Sequence, residues 1–384
     1  MTKHTSRILL SQSALQNNIN FLKKKIGKDT RFSAVVKANA YGHGIAEMTS
    51  MLEKAGVEHF SVASAAEAEE VLENCSDTSS ILIMGILYDK DLAWVIEHGI
   101  EFYVFDYDRL ETVKKVAKEV GKKAIVHIEL ETGTNRTGMN LHDFKRAITW
   151  LKRNTAFVKF EGVCTHLGGA EAIANEFKIK PQIQRFLDAC KMLKKKEFLP
   201  AYRHMACSSA AISYPETRLD MVRIGVSTYG FWSSPDVYYS HVQENGNNRS
   251  TLKRIITWKT DVMDIKEVKE GEFIGYGTAY QALKDMSIAV IPLGYSNGYP
   301  RGLSNKGYVL IHGKKAPIVG LVNMNLFMVD VSHIKDVKTG DEVVLLGKQK
   351  NSVINVSSFT NFTQLLNNEM LSRLPGTIPR RVVK

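Results

Sequence analysis

The 384-residue sequence has no apolar run long enough to cross a membrane, and ILIMGIL at residues 81–87 has the length of a buried strand. The first residues, MTKHTSRILLSQ, lack the apolar core and small-residue cleavage site of a secretion signal. The four cysteines are far apart and form no CxxC pair, which indicates reduced thiols. These absences predict a cytoplasmic protein that does not bind a membrane.

Motifs for nucleic-acid and metal binding are also missing. The net charge of +11 would suit nucleic acid, but there is neither zinc-finger spacing nor an RNP-like aromatic pattern. The lysine-rich stretches KKVAKEVGKK and CKMLKKKEF have apolar residues at helical spacing, as solvated helix faces do. No His/Cys cluster follows residue 251. We therefore expect no nucleic acid and no metal.

Short apolar runs alternate with helical stretches from about residue 32 to residue 230. Runs that are apolar on both faces and separated by helices are typical of parallel strands. Eight runs occur, and they predict a (β/α)8 TIM-like barrel. A doubly wound open sheet is disfavoured by this count and by the absence of GxGxxG. The runs are 33–37, 59–64, 81–85, 101–105, 124–130, 158–167, 202–206 and 219–225.

The sequence changes in character after the eighth run. The polar stretch SSPDVYYSHVQENGNNRS, residues 233–250, is predicted to be a linker between domains. Apolar alternation between turn residues then predicts a mostly β domain with one late helix, TNFTQLLNNEMLSRL. We assign residues 1–240 to the barrel and 241–384 to the β domain, with the first few residues as candidates for the β domain.

A single lysine ends the first apolar run, in AVVKANAYGHG. Lys37 is predicted at the carboxyl end of the first barrel strand, where active sites of this fold lie. A lysine at a barrel mouth loses its proton more easily than one in water, whose pKa is about 10.4. A neutral amine forms a Schiff base with an aldehyde, and the obvious aldehyde cofactor is pyridoxal phosphate (PLP). Taken alone, Lys37 is better explained as a lysine that snorkels to solvent.

The surrounding sequence closely resembles the PLP-lysine motif of the alanine racemases, and further motifs in the same order extend the resemblance over roughly residues 5–384. The resemblance implies a PLP barrel followed by a β domain, assembled as a head-to-tail homodimer. It implies an isomerase that interconverts L- and D-alanine and supplies D-amino acid for cell-wall synthesis. Lys37 would hold PLP, with the hydroxyl of Tyr41 on its phosphate side.

Three further motifs are similar to cofactor-binding segments of the family. THLGGAE implies that His166 lies against the pyridine ring, and HMACSSAAI implies that Ser208 binds the phosphate. MVRIGVSTYGF implies that Arg223 faces the pyridine nitrogen, while the backbone N–H groups of Gly225 and Val226 hold phosphate. An arginine stays protonated and leaves that nitrogen unprotonated, which weakens the ring as an electron sink and disfavours transamination.

The remaining motifs concern the substrate and the second base. ETGTNRTGMN resembles the loop that puts Arg136 beside the substrate carboxylate, which an arginine fork suits. EFIGYGTAY implies that Tyr276 is a base that reaches the other subunit's cofactor. IPLGYSNGYPR makes Tyr295 a phosphate-side hydroxyl, and VNMNLFMVD implies that the Met324 N–H meets the substrate carboxylate across the interface. Lys37 and Tyr276 would then exchange the α-proton on opposite faces.

Three positions differ from the family pattern. Glu129 replaces a modified, negatively charged lysine and is expected to steady Arg136. Asn325 replaces an aspartate, and Arg380 falls where a substrate-side tyrosine is common. The added positive charge leaves a racemase of serine, aspartate or glutamate as an alternative.

The sequence also leaves other classes of protein as alternatives. They are a decarboxylase or D-amino-acid lyase on the same barrel, and a non-catalytic PLP-binding protein. Arg223 argues against the decarboxylase, the missing His/Cys cluster against the lyase, and Tyr276 against the non-catalytic protein.

Overall fold

The computed structural model describes residues 4–246, 251–363 and 366–384, and the chain divides into two compact units. The barrel unit consists of Ser13–Lys37 and Met48–Lys253. The β unit consists of Met1–Gln12, Ala38–Glu47 and Arg254–Lys384, and it includes the first strand, β1 (Ser6–Ser11).

The barrel unit contains eight parallel strands in the order β8-β7-β6-β5-β4-β3-β2-β9. They are β2 (Arg31–Val35), β3 (His59–Val62), β4 (Ser80–Ile83), β5 (Glu101–Val104), β6 (Ala124–Glu129), β7 (Val158–Cys164), β8 (Tyr202–His204) and β9 (Met221–Ile224). The N–H groups of Asp220 and Arg223 donate to the carbonyls of Arg203 and Ala206, which brings the two ends of the sheet together. The predicted barrel is confirmed, because each observed strand overlaps one predicted run.

Helices alternate with these strands, and capping side chains define several of their starts. Ser64 accepts from the N–H of Glu67 before one helix, and Asn140 accepts from the N–H of Asp143 before another. The helices up to residue 246 are α1 (Gln12–Ile26), α2 (Lys37–Tyr41), α3 (Ile45–Lys54), α4 (Ala65–Leu72), α5 (Asp89–Glu97), α6 (Arg109–Val120), α7 (Leu141–Arg153), α8 (Glu176–Lys195), α9 (Ser208–Ser213) and α10 (Pro235–Asn245). Short 3-10 turns lie at Ile173–Asn175 and Pro215–Thr217.

The predicted linker over residues 233–250 is wrong for most of its length, because helix α10 occupies it. The Oγ of Ser234 accepts from the N–H of Val237, and Pro235 occupies the first helical turn. Gly246 ends the helix in a left-handed conformation. The remaining part, residues 247–250, lies outside the described residues.

The β unit contains one mostly antiparallel sheet in the order β11-β12-β15-β14-β13-β16-β10-β1-β18, with β17 paired to β16. A buried cluster that includes Ile274, Met286 and Met328 lies in this unit. Its strands after β1 are β10 (Ile256–Asp261), β11 (Asp264–Val268), β12 (Met286–Ile291), β13 (Tyr308–Ile311), β14 (Lys314–Val319), β15 (Phe327–Asp330), β16 (Glu342–Gln349), β17 (Ser352–Ile354) and β18 (Arg380–Val383).

The late helix of the β unit differs from the prediction of one continuous element. Two helices are present, α11 (Ser357–Thr363) and α12 (Asn367–Ser372), and residues 364–365 between them lie outside the described residues. Two 3-10 turns, Tyr295–Asn297 and Arg301–Leu303, precede β13. Across the described ranges, no helix combines the length and apolar character needed to span a membrane.

Candidate active site

Lys37 lies where the first barrel strand ends, two residues beyond Val35. The side chain of Lys37 is exposed to solvent at the end of the strand. The protein around its amino group still removes part of its water, and this desolvation is the largest cause that lowers the pKa of Lys37; the positive charge of Arg136 lowers the pKa further. Arg223 acts in the same direction, while the carboxylate of Glu67 opposes it. The lysine therefore reaches its neutral, nucleophilic form at a lower pH than an ordinary lysine does.

The chain leaves Lys37 through a left-handed turn. Ala38, Asn39, Ala40 and Tyr41 have φ angles of 52–55°, a conformation that costs at least about 1 kcal/mol for each residue with a side chain. The N–H of Gly42 donates to the carbonyl of Ala38 at 3.0 Å and closes the turn. Tyr41, a predicted phosphate-side residue, lies on this turn within the β unit.

The loop of residues 131–140 holds Arg136 at the end of β7. The hydroxyl of Thr134 donates to the carbonyl of His166 at 2.7 Å, and its N–H donates to the carboxylate of Glu131 at 2.7 Å. The hydroxyl of Thr134 therefore ties the loop to the residue that follows the strand, while the side chain of Arg136 stays exposed. A guanidinium held in this way is available to bind an anion.

Glu129, predicted to steady this loop, is 4% exposed. Burial raises the pKa of Glu129, and a hydrogen bond with Thr137 together with the charges of Arg223 and Arg136 opposes that rise. The carboxyl group thus contacts the arginine loop through Thr137 and acts on Arg136 through its charge.

His166 follows β7 and is affected by the same cations as Lys37. Burial is the main cause that lowers the pKa of His166 to about 3, followed by the charges of Arg223, Arg136 and Lys37. The imidazole is therefore neutral near pH 7. Because these four side chains act on one another, the structure brings Lys37, Arg136, His166 and Arg223 together at one end of the barrel.

Three of the five residues predicted to bind the phosphate, Ser208, Gly225 and Val226, lie just after β8 and β9. The N–H of Gly225 donates to the Oγ of Ser208 at 3.0 Å, and Ser208 is 4% exposed. Ser208 is the first residue of α9, and Val226 continues the turn after Gly225. The structure thus joins the serine hydroxyl directly to the glycine-containing turn.

Arg223 lies on β9 and is 5% exposed. Its guanidinium donates to the ring Nδ1 of His204, to the carbonyl of His204 at 3.2 Å and to the carbonyl of Thr165 at 2.9 Å. Among the described residues Arg223 makes no hydrogen bond with His166, and its histidine partner is His204. His204 was not predicted as a site residue, although a histidine inside an apolar strand-end motif was an available signal.

Three predicted residues lie in the β unit and are exposed. Tyr276 is 73% exposed, Met324 is 56% exposed and Tyr295 is 41% exposed. The N–H of Tyr295 donates to the carbonyl of Asn323 at 3.0 Å, which places Tyr295 beside the Met324 loop. Tyr276 lies between Gly275 and Gly277, whose φ angles of 77° and 67° form a sharp turn.

Two departures from the family pattern have structural partners in the same unit. The guanidinium of Arg380 donates to the carbonyls of Pro375 at 2.8 Å, Gly376 at 3.0 Å and Gly42 at 2.9 Å, and also to that of Ile378. These bonds fix the chain and do not favour a role for Arg380 in binding an acidic substrate. The amide of Asn325 donates to the Oγ of Ser296 at 2.8 Å.

The donor set of the barrel unit fits PLP. The cofactor has an aldehyde and a phosphate dianion, and the site offers a lysine of lowered pKa, two guanidiniums and a serine hydroxyl beside a backbone N–H. No group of three or more His, Cys, Asp or Glu residues within the described part of the chain is arranged to hold a metal ion. These groups are the ones that an anionic aldehyde would need to be held in place.

A barrel with a strand-end lysine, followed by a β domain, defines a class of PLP-type enzymes, and comparisons with known proteins identify the family. The family profiles "Alanine racemase, N-terminal domain" and "Alanine racemase, C-terminal domain" match residues 10–232 and 255–382. Alanine racemase 1 of Caldanaerobacter subterraneus subsp. tengcongensis is 32% identical over 375 residues, which cover 98% of this chain and 94% of that protein.

Solved structures agree with the sequence matches. The alanine racemase of Clostridium difficile 630 has a TM-score of 0.91 at 28% identity, covering 100% of this chain and 97% of that one. The Bartonella henselae alanine racemase, solved with covalently bound pyridoxal phosphate, has the same fold, with a TM-score of 0.84 at 24% identity over 99% of this chain and 100% of that one. The chain belongs to the alanine racemase family and is an isomerase.

Proposed function

We propose that this chain interconverts L- and D-alanine with PLP bound to Lys37. The observation that supports the proposal most directly is the position of Lys37 just beyond the end of β2, close to the side chains of Arg136, His166 and Arg223. Lys37 would hold the cofactor covalently. The phosphate would be held by Ser208, the N–H groups of Gly225 and Val226, and the hydroxyls of Tyr41 and Tyr295.

PLP, when bound, withdraws electrons from the substrate and makes its α-proton removable. Arg223 would donate to the ring nitrogen and, because it stays protonated, would leave that nitrogen without a proton. His166 would lie against the ring as a neutral imidazole. Arg136 would orient the substrate carboxylate with its fork, aided by the N–H of Met324.

The proton transfer itself would use two bases on opposite faces of the α-carbon. The Nζ of Lys37 would serve one face, and the Oη of the partner subunit's Tyr276 would serve the other. The 73% exposure of Tyr276 supports a position from which it reaches a second chain. The enzyme would therefore be a homodimer, with Met324 and Tyr276 contributed across the interface.

The family resemblance extends the proposal to a cytoplasmic enzyme that supplies D-alanine for cell-wall synthesis. A racemase of serine or an acidic amino acid and a non-catalytic PLP-binding protein are not favoured. Full-length relatives are named alanine racemases, and the guanidinium of Arg380 is bound to backbone carbonyls.

The test combines the location of the cofactor with the substrate. The purified protein is treated with borohydride, digested and weighed by mass spectrometry, and we expect the cofactor mass on the peptide that contains Lys37. An enantiomer-resolved assay is expected to show racemisation of alanine above that of serine, aspartate and glutamate. Cofactor mass on another lysine or on none, or a clear preference for another amino acid, would contradict the proposal.

A further inference from the structure

A carboxylate and three imidazoles are buried inside the barrel, and none of them is among the predicted ligands of the cofactor. His59, His127 and His204 are 0% exposed, and Glu101 is 5% exposed. Taking an ionised carboxylate out of water costs several kcal/mol unless hydrogen bonds compensate it. Packing alone therefore does not account for these four polar residues.

Hydrogen bonds connect this buried group to Arg223 in one continuous chain. The guanidinium of Arg223 contacts the Nδ1 of His204. The Nε2 of His204 lies 2.8 Å from the Nδ1 of His127, and the Nε2 of His127 lies 2.8 Å from the Oε2 of Glu101. Two imidazoles thus separate the arginine from the carboxylate.

The two ends of the chain determine the direction of every hydrogen bond in it. Arg223 can only donate, so the Nδ1 of His204 accepts and its Nε2 carries the proton. An ionised carboxylate can only accept, so the Nε2 of His127 donates to Glu101 and its Nδ1 accepts from His204. Both imidazoles are then neutral and carry their proton on Nε2.

The state of the titratable groups agrees with this assignment. Although burial acts to raise the pKa of Glu101, hydrogen bonds from His127 and His59 outweigh it, and the pKa lies well below its usual value. Burial and the charge of Arg223 hold the pKa of His204 well below its usual value. Glu101 is therefore ionised and His204 is neutral near pH 7.

The backbone makes room for this chain. A Cβ at position 162 would lie 2.0 Å from the Nδ1 of His127, so only glycine admits the ring there. The pairing of β6 with β7 also shifts register between Val126 and His127 and sets His127 opposite Gly162. The glycine and the register shift thus make space for the ring of His127 at the cost of a regular strand pairing.

We propose that Glu101 is a positioning residue of the racemase: through His127 and His204 it fixes the orientation of Arg223. This inference rests on the proposed function, in which Arg223 faces the pyridine nitrogen. The carboxylate matters because it cannot donate. An amide at position 101 could donate to the Nε2 of His127, and the Nδ1 of His127 could then donate to the Nε2 of His204. The proton of His204 would in that case lie on Nδ1, which faces Arg223, so two hydrogen-bond donors would face each other.

A second branch of the network provides a matched control. The Nε2 of His59 lies 3.4 Å from the same Oε2 of Glu101, and its Nδ1 lies 2.8 Å from the Oγ of Ser33. The Oγ of Ser33 is in turn 2.6 Å from the Oγ of Ser61. This branch ends on hydroxyl groups rather than on Arg223, so Ser33→Ala disturbs the network without reversing the chain to the arginine.

The experiment compares wild-type holoenzyme with Glu101→Gln and Ser33→Ala after labelling histidine with 15N. NMR shifts of the ring nitrogens, assigned through His204→Gln, show which nitrogen carries the proton. We expect a single Nε2–H form of His204 in the wild type and in Ser33→Ala, and a mixed or reversed form in Glu101→Gln. We also expect kcat for alanine to fall about 10-fold in Glu101→Gln with KM within about twofold, by analogy with carboxylate partners of metal-bound histidines.

Several outcomes would overturn the inference. A wild-type His204 protonated on Nδ1 would do so even if Glu101→Gln fails to fold. The inference would also fail if Glu101→Gln left the His204 tautomer or kcat unchanged. It would fail as well if Ser33→Ala lowered kcat as much as Glu101→Gln does. Loss of the cofactor mass from Lys37 after borohydride treatment would instead count against the proposed function, and the wild-type tautomer would still test the chain.

Discussion

Gly42 is the residue at which the left-handed turn after Lys37 meets the C-terminal part of the β unit. Its φ is +77°, and a Cβ there would lie 1.9 Å from the carbonyl oxygen of Leu371. For Gly42→Ala, the left-handed backbone costs about 1 kcal/mol. Displacement of the Leu371 backbone adds about 1–3 kcal/mol, as overpacking does elsewhere. We therefore expect the free energy of unfolding to fall by about 2–4 kcal/mol, measured from urea transitions followed by circular dichroism.

A matched variant separates the two contributions. Gly340 lies in the same unit with a φ of +88°, and a Cβ there would have no heavy atom within 4 Å. Gly340→Ala should therefore lose only the backbone contribution of about 1 kcal/mol. Equal losses in the two variants would refute the reasoning that Leu371 excludes a side chain from position 42. Because the turn begins at Lys37, Gly42→Ala is also expected to lower kcat, whereas Gly340→Ala is not.

Three further predictions concern the tail, acid stability and the second base. Arg380→Lys loses the guanidinium fork that binds four backbone carbonyls, so the free energy of unfolding measured from urea transitions should fall by about 2–3 kcal/mol. As a control, Arg381→Lys at the exposed neighbouring residue should change that free energy by less than about 0.5 kcal/mol. Burial lowers the pKa of His43 to about 4, so between pH 6.5 and 4 the unfolded chain binds a proton that the folded chain does not. The free energy of unfolding therefore keeps its full value above pH 6.5 and falls on acidification by up to about 3 kcal/mol. His43→Gln should remove that part of the pH dependence of the urea midpoint. Tyr276→Phe should slow α-proton exchange in deuterated water from one enantiomer of alanine much more than from the other, and equal rates from both would contradict the two-base assignment.

The barrel could be predicted because its physical cause is present in the sequence itself. A parallel strand covered by helices needs apolar residues on both faces, and runs such as 81–85 and 101–105 show them without interruption. Lys37 was found for a related reason, since it ends a predicted strand, whereas His166 and Arg223 were assigned through the resemblance of their motifs to the family. The structure places the three side chains close enough for their charges to act on one another.

Other features depend on contacts that local sequence does not show. The segment Ala38–Tyr41 contains no glycine and would suit a right-handed helix, yet it is left-handed in the structure. Helix α10 was missed because its polar residues suggested a linker, although Ser234 and Pro235 form a typical start signal. The chain from Arg223 to Glu101 joins residues far apart in sequence, and only the barrel brings them within hydrogen-bond distance.

The pairing of β1 has a consequence for how the protein is made. The ribosome completes Ser6–Ser11 long before the two strands that flank it, because β10 begins at Ile256 and β18 begins at Arg380. At about 5–20 residues per second, the first strand waits for tens of seconds without its neighbours. A nascent chain that stopped before Arg380 would contain every strand of the barrel and still lack β18, one of the two strands that pair with β1.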